Sequence, residues 1–312
     1  MLQALRYIID SNIDLIDEIA GQIADSLGSK SAPTLTAYLL AKQVFTLAGP
    51  ANTREIKQIY QAILEALLKM RLLSPIDEIS PKAYLLFGRS SASPAEVVCT
   101  LDPYAYVSHL SAMEYHGLTD RFPKILYATR PAAADWRRQA VTLMDKDLGG
   151  RRQDYESAGL PRLVSPKISR VGKTVVQFCE RSQLGAYRLV SGSSLRVATI
   201  GRVFLDMLRE PALCGGIHHV VDVYRREAKR FLKLIIDEVE RHGQPIDKVR
   251  IGYVLSEVCK LEAPEFTIWQ KFAQRGGSRK LDAEGDYVPI YSDRWLLSIN
   301  VPSLTTPEAS VD

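Results

Sequence analysis

Apolar residues recur every three or four positions at the start of the chain. Leu5, Ile8, Ile9, Ile13, Ile16, Ile19, Ile23 and Leu27 fall on one stripe and predict a helix over residues 3–27. Gly28-Ser29-Lys30-Ser31 ends it, and Pro33 opens the next element. A second helix is predicted over 36–47, stopped by Gly49-Pro50. Asn52 or Thr53 is placed to cap a third, whose apolar stripe is Ile56, Ile59, Ile63, Leu67 and Met70. Its opposite face carries Arg54, Lys57, Gln58, Gln61 and Glu65. After Leu72-Leu73-Ser74-Pro75 a hairpin is expected, with Tyr84 and Leu86 alternating in its second arm.

The pattern changes after residue 90. Residues 90–99 read as a linker or first turn, followed by a short extended piece and a helix that Gly117 stops. Residues 124–129 (KILYAT) predict a strand. Residues 130–165 are punctuated by Gly149-Gly150 and Gly159-Leu160-Pro161 and read as loop. Residues 166–200 alternate Val, Phe, Tyr and Leu and read as strands. The segment 195–226 then gives strand, amphipathic helix (Val203, Phe204, Met207, Leu208), a break at Glu210-Pro211, and a second helix opened by Gly215-Gly216. Further helices are expected over about 218–242, 246–261 and 266–272, then a loop and a final strand before a frayed tail.

Three helices followed by a hairpin is the order of a winged helix-turn-helix. In that arrangement the helix before the wing enters the major groove N-terminal end first. Thr53, Arg54, Lys57, Gln58 and Gln61 would then lie near DNA, with Lys82 and Arg89 of the wing reaching flanking phosphates. The alternative is that Arg54 and Lys57 only solvate a helix face, or that the module contacts protein. The expected fold class is α+β: a winged helix-turn-helix domain at 1–90, a mixed α/β domain at 91–302 and a flexible tail at 303–312.

Charge sharpens this picture. The 312 residues carry a formal net charge of only +4, but residues 121–190 hold 14 basic and 6 acidic side chains. That segment contains Arg137-Arg138 and Arg151-Arg152, a candidate patch for nucleic-acid backbone, set against the plainer reading of a solvated loop. Aromatic residues are sparse there (Trp136, Tyr155), which argues against a stacking platform for single strands. The four cysteines are far apart and form no CxxC pair, so a local zinc knuckle is excluded and reduced, buried thiols are expected. His109 and His116 are seven apart; metal helices space ligands at three or four, and no metal or other cofactor is expected. The N-terminus has acids within it and no cleavage pattern, and no apolar run is long enough to span a membrane, so a cytoplasmic protein is expected.

Four stretches resemble the AbiEi family, the antitoxins and transcriptional regulators of bacterial type IV toxin–antitoxin (abortive-infection) systems. Ser108-His109-Leu110-Ser111-Ala112-Met113-Glu114-Tyr115-His116-Gly117-Leu118 resembles its S-x-x-S-A-L-x-x-H-G-L segment. Arg196 to Asp206 resembles its strand-into-helix passage ending in Leu-Asp. Pro211 with Gly215-Gly216 resembles its P-x-x-x-G-G turn, and Arg250-Ile251-Gly252-Tyr253-Val254-Leu255 its R-L-G-Y-L-L helix. The resemblance covers about residues 95–302; the leading helix 3–27 is extra to it.

The resemblance implies an autorepressor that binds inverted repeats of double-stranded DNA in its own promoter. It also implies a C-terminal domain that counters a nucleotidyltransferase-like toxin without a stable complex. Within that domain Asp206 is expected to pair with Arg250 or Arg202 as a core organiser, and Gly117 and Gly216 to sit at helix ends. An enzyme using Asp206, Glu227 and Asp237 is the competing reading. It lacks a strand-borne D-x-D or E-x-K and a phosphate loop with its lysine, so no catalytic residues are assigned.

Overall fold

The computed structural model describes residues 2–29, 32–50, 55–89, 92–274 and 279–305. The elements run, in chain order, α1 (Leu2–Ser29), β1 (Thr34–Thr36), α2 (Ala37–Ala48), α3 (Ile56–Lys69), β2 (Leu73–Pro75), β3 (Ala83–Leu86), α4 (Pro94–Leu101), β4 (Tyr106–Val107) and α5 (His109–Tyr115). They continue as β5 (Ile125–Pro131), α6 (Ala133–Asp147), α7 (Arg152–Ser157), β6 (Arg170–Val171), β7 (Thr174–Arg181), β8 (Tyr187–Leu189), β9 (Arg196–Ala198) and α8 (Ile200–Arg209). The last are α9 (Ile217–His242), α10 (Pro245–Tyr253), α11 (Pro264–Trp269), β10 (Tyr291–Ser292), β11 (Leu297–Ser298) and α12 (Pro302–Thr305). The class is mixed α and β. The chain divides into two compact units: Met1–Ala105 with Thr129–Gln183 and Leu189–Arg196, and Tyr106–Ala128 with Leu184–Arg188 and Val197–Asp312. The 90/91 boundary read from sequence falls inside the first of these.

In the first unit, β1, β3 and β2 form an antiparallel sheet in that order, with Leu35 opposite Tyr84 and Ser74 opposite Leu85. Thr36 caps α2 by accepting a hydrogen bond from the Leu39 amide, which turns the chain from strand to helix in one residue. Ile19, Ile23 and Leu27 of α1 meet Leu40 and Val44 of α2 and Ile56, Ile59, Ile63 and Leu67 of α3 in one core. The predicted apolar stripes of α1 and α3 therefore do face inward wherever side chains are described. Met70 is the exception: it is the residue after α3 and stands exposed.

That core does not stop at residue 86. Met144 and Leu148 at the end of α6, Tyr155 of α7 and Leu160 belong to it. The Tyr155 ring packs edge-on against Phe45, 5.2 Å between centroids, and Tyr38 donates a hydrogen bond to Asp147 at 3.0 Å. This corrects the loop reading of residues 130–165. Trp136, Ala140, Met144 and Leu148 recur every four residues and give α6 one buried stripe, a helical period that the Gly and Arg content obscured. Residues 90–99 are corrected likewise, since Ser93 and Glu96 make a capping box that starts α4. At the far end of α4, the Arg196 guanidinium donates to the carbonyl of Cys99 (2.5 Å) in the last turn and to those of Asp102 (2.6 Å) and Ala105 (2.8 Å) just beyond it, placing a cation where helix carbonyls lack partners.

The second unit is organised around α8. The sequence predicts an amphipathic helix here, yet Gly201 through Leu208 are all buried, Arg202 and Asp206 included. Its strands lie in the order β5-β4-β9-β8, with Val107 paired in parallel to Val197. At Gly201 an added Cβ would strike the Leu234 carbonyl and the Glu238 side chain, so glycine is what lets α9 cross α8 this closely. Tyr224 of α9 donates to the Phe204 carbonyl at 2.7 Å. Helix α10 passes into a π-helical turn over Val254–Val258 rather than continuing regularly to 261. Among the described residues, no helix is long and apolar enough to cross a membrane.

Candidate nucleic-acid interface

The residues proposed for DNA contact divide cleanly by position. Thr53 and Arg54 lie outside the described residues, as does the predicted Asn52 or Thr53 cap. Lys57, Gln58 and Gln61 occupy the first turns of α3 and are exposed, because the same helix turns Ile56, Ile59, Tyr60 and Ile63 into the core. Lys82 is exposed just before β3, and its carbonyl accepts from the Ala37 amide at 3.0 Å. Arg89 is half-buried, with its amide bonded to the Leu86 carbonyl at 3.1 Å. The loop between β2 and β3 also exposes Asp77 and Glu78, so the tip itself is acidic.

This loop is held in place. Ser80 and Lys167 form an antiparallel bridge, with the Lys167 amide donating to the Ser80 carbonyl at 2.7 Å. Ile79 is buried beneath it and lines a small cavity with Pro81, Arg162, Leu163 and Pro166. The segment after α7 thus runs beside the hairpin. It also reaches α3: Lys57 Nζ is 3.6 Å from where a Cβ on Gly159 would stand. The sequence alone does not single out Arg162 and Lys167. The alternation of inward Leu160, Leu163, Pro166 and Ile168 with outward Arg162, Val164 and Lys167 was the available signal.

The two arginine pairs behave differently from these lysines. The Arg151 guanidinium lies 4.3 Å from the centroid of the Phe45 ring, against the core. Arg152 pairs with Asp145 at 2.6 Å and Glu156 at 3.4 Å, and Arg138 pairs with Asp135 one turn earlier. Arg137 is exposed and lines a cleft of about 400 Å³ with Trp136, Met144, Arg162 and Val164. Three of the four arginines therefore already have partners within the unit.

Nearby, the buried Asp102 accepts from the Trp136 indole and the Tyr104 amide, each at 3.0 Å, and lies 3.8 Å from Arg130. Burial raises its carboxyl above the ordinary value against the pull of those partners.

In the second unit the remaining predicted residues lie in the core or at helix ends. Asp206 pairs with Arg202 at 2.8 Å, not with Arg250, because residues four apart on a helix face each other. Arg250 instead donates from Nε to the Lys280 carbonyl at 2.8 Å. Gly117 takes φ +66° just after α5, and Gly216 takes φ +91° as the residue before α9. His109 and His116 do not converge. His109 lies between Ser108 Oγ (2.8 Å from Nδ1) and Glu210 (3.0 Å from Nε2), while His116 Nε2 donates to the Ala198 carbonyl at 2.7 Å. Ser108 and His109 are both buried, and this trio ties α5 to the end of α8. No group of three or more His, Cys, Asp or Glu side chains suited to a metal occurs among the described residues.

No protein-family model matches the chain, and no curated protein matches it either.

Proposed function

We propose that the protein is a DNA-binding autorepressor whose first unit reads double-stranded DNA and whose second unit provides antitoxin activity. The cognate toxin would be nucleotidyltransferase-like. The observation that carries the DNA-binding part is the order α1-β1-α2-α3-β2-β3 with strands in the order β1-β3-β2. That is the arrangement a winged helix requires, and α3, the helix before the wing, presents Lys57, Gln58 and Gln61 outward from its first turns. A lysine there reaches phosphate, and glutamines hydrogen-bond adenine edges. The antitoxin part rests on the AbiEi-like stretches alone. They fall on α5, β9, α8, α9 and α10 of this structure. The binding reading is tested with a promoter reporter in cells carrying Lys57→Ala/Gln61→Ala. Loss of repression with continued protection from the toxin is the expected result. Full repression by that variant would remove α3 from the interface.

A second reading is favoured by Asp77 and Glu78, which expose two carboxylates at the hairpin tip. Such a tip repels phosphate and suits a basic protein surface, so the module would then contact protein instead of DNA.

A further inference from the structure

The hairpin tip exposes Asp77 and Glu78, which repel the phosphates that the tip of a wing ordinarily contacts. A different part of the same unit runs from beside α3 to the hairpin. Residues 160–167 follow α7 without helix or strand, with Pro161 and Pro166 favouring an extended path. Tyr155 fixes its start by donating to the Pro161 carbonyl at 2.6 Å. The Ser80–Lys167 bridge fixes its end. Leu160, Pro166 and Ile168 are buried, while Arg162 and Lys167 point to solvent.

We propose that this strap is the phosphate-contacting flank of the DNA interface, with Lys167 and Arg162 taking the role that the hairpin tip vacates. The inference rests on the DNA-binding reading above. Three observations support it. The strap starts beside α3, where Gly159 neighbours Lys57. It ends beside the hairpin, where Lys167 is bridged to Ser80, two residues before Lys82. Its cations are also available: among the described residues no ion pair involves Lys57, Lys82 or Lys167, and Arg162 meets only Glu156, loosely, at 3.9 Å. Arg138 and Arg152, by contrast, are already bound to carboxylates. Eight extended residues span at most about 27 Å, enough to follow a DNA strand over roughly eight base-pair steps at ~3.4 Å each. A cation that displaces condensed counterions there adds about 0.9 to the slope of log affinity against log salt.

The test is a gel-shift titration of the full chain on its upstream DNA at several salt concentrations, for the wild type, Lys167→Ala, Lys167→Arg and Arg138→Ala. The expected result is a slope about 0.9 shallower for Lys167→Ala, unchanged for Lys167→Arg and for Arg138→Ala. A wild type that shifts DNA with the same slope as Lys167→Ala overturns the strap proposal and leaves the α3 reading standing. A wild type that shifts no DNA overturns both. Equal slope loss in Arg138→Ala would mean a diffuse basic surface and would also overturn the strap.

Discussion

Arg202 and Asp206 face each other at 2.8 Å within α8, and both are almost wholly buried. Burial alone would pull the Arg202 guanidinium down. Asp206 beside it, with Tyr106 and Glu238 nearby, reverses that and holds it above its ordinary value, so the guanidinium remains charged. Removing one partner strands the other charge in the interior. Arg202→Leu is expected to cost about 3–5 kcal/mol in urea unfolding, and Arg202→Met/Asp206→Leu to recover most of it. A double variant no better than the single would show that the pair fixes the packing of α8 through shape and not through charge.

Gly201 is the second determinant of that packing. Alanine there meets the Leu234 backbone carbonyl, which cannot rotate away as a side chain can. Gly201→Ala should lower stability by about 1–3 kcal/mol despite its better helix propensity. A melting temperature equal to or above wild type would show that α8 and α9 separate freely at this point.

His116 gives a pH dependence. Burial holds its imidazole below the ordinary value of 6.5, and Arg188 adds to this, while the bond to the Ala198 carbonyl opposes both. The unfolded chain therefore binds more protons than the folded one between the depressed value and about 6.5. Stability is full above that range and is lost as pH falls through it. His219 shifts in the same direction through burial, Arg121 and Arg226. Thermal unfolding from pH 8 to pH 5 should show a falling midpoint, less steep in His116→Gln. A midpoint that rises toward pH 5 would contradict the buried neutral imidazole.

Arg151 and Lys57 are expected to separate stability from binding. Arg151→Ala removes a cation packed on Phe45 and should cost about 0.5–1 kcal/mol, with DNA affinity at fixed salt unchanged. Lys57→Ala should leave the melting temperature unchanged and weaken DNA binding. Weakened binding in Arg151→Ala at a temperature where it is fully folded would return the arginine pairs to the interface.

Much of the fold is legible in the sequence wherever one face of an element is buried. The stripe Ile56, Ile59, Ile63, Leu67 marks the inward side of α3, and the exposure of Lys57, Gln58 and Gln61 follows from it. Elements buried on all sides are less legible. Helix α8 hides Arg202 and Asp206 by pairing them four residues apart, which reads in sequence as a polar face. Helix α6 was obscured differently: its buried stripe is narrow, and the solvent side is rich in Arg and Asp. The roles of the arginines depended on which carboxylates lay one turn away, Asp135 for Arg138 and Glu156 for Arg152, a pairing that composition hides. The path of residues 160–167 is the least legible, since it is fixed by the bridge between Lys167 and Ser80, 87 residues apart.

The measurement that bears most directly on the account is the affinity of the purified full chain for about 200 base pairs of its own upstream DNA at 50 and 200 mM salt. With Lys57, Lys82, Arg162 and Lys167 each neutralising a phosphate, affinity should fall about a hundredfold between the two conditions, and an unrelated fragment should bind more weakly at both. No shift at 50 mM, or an affinity indifferent to salt, would contradict the assignment of this surface to DNA.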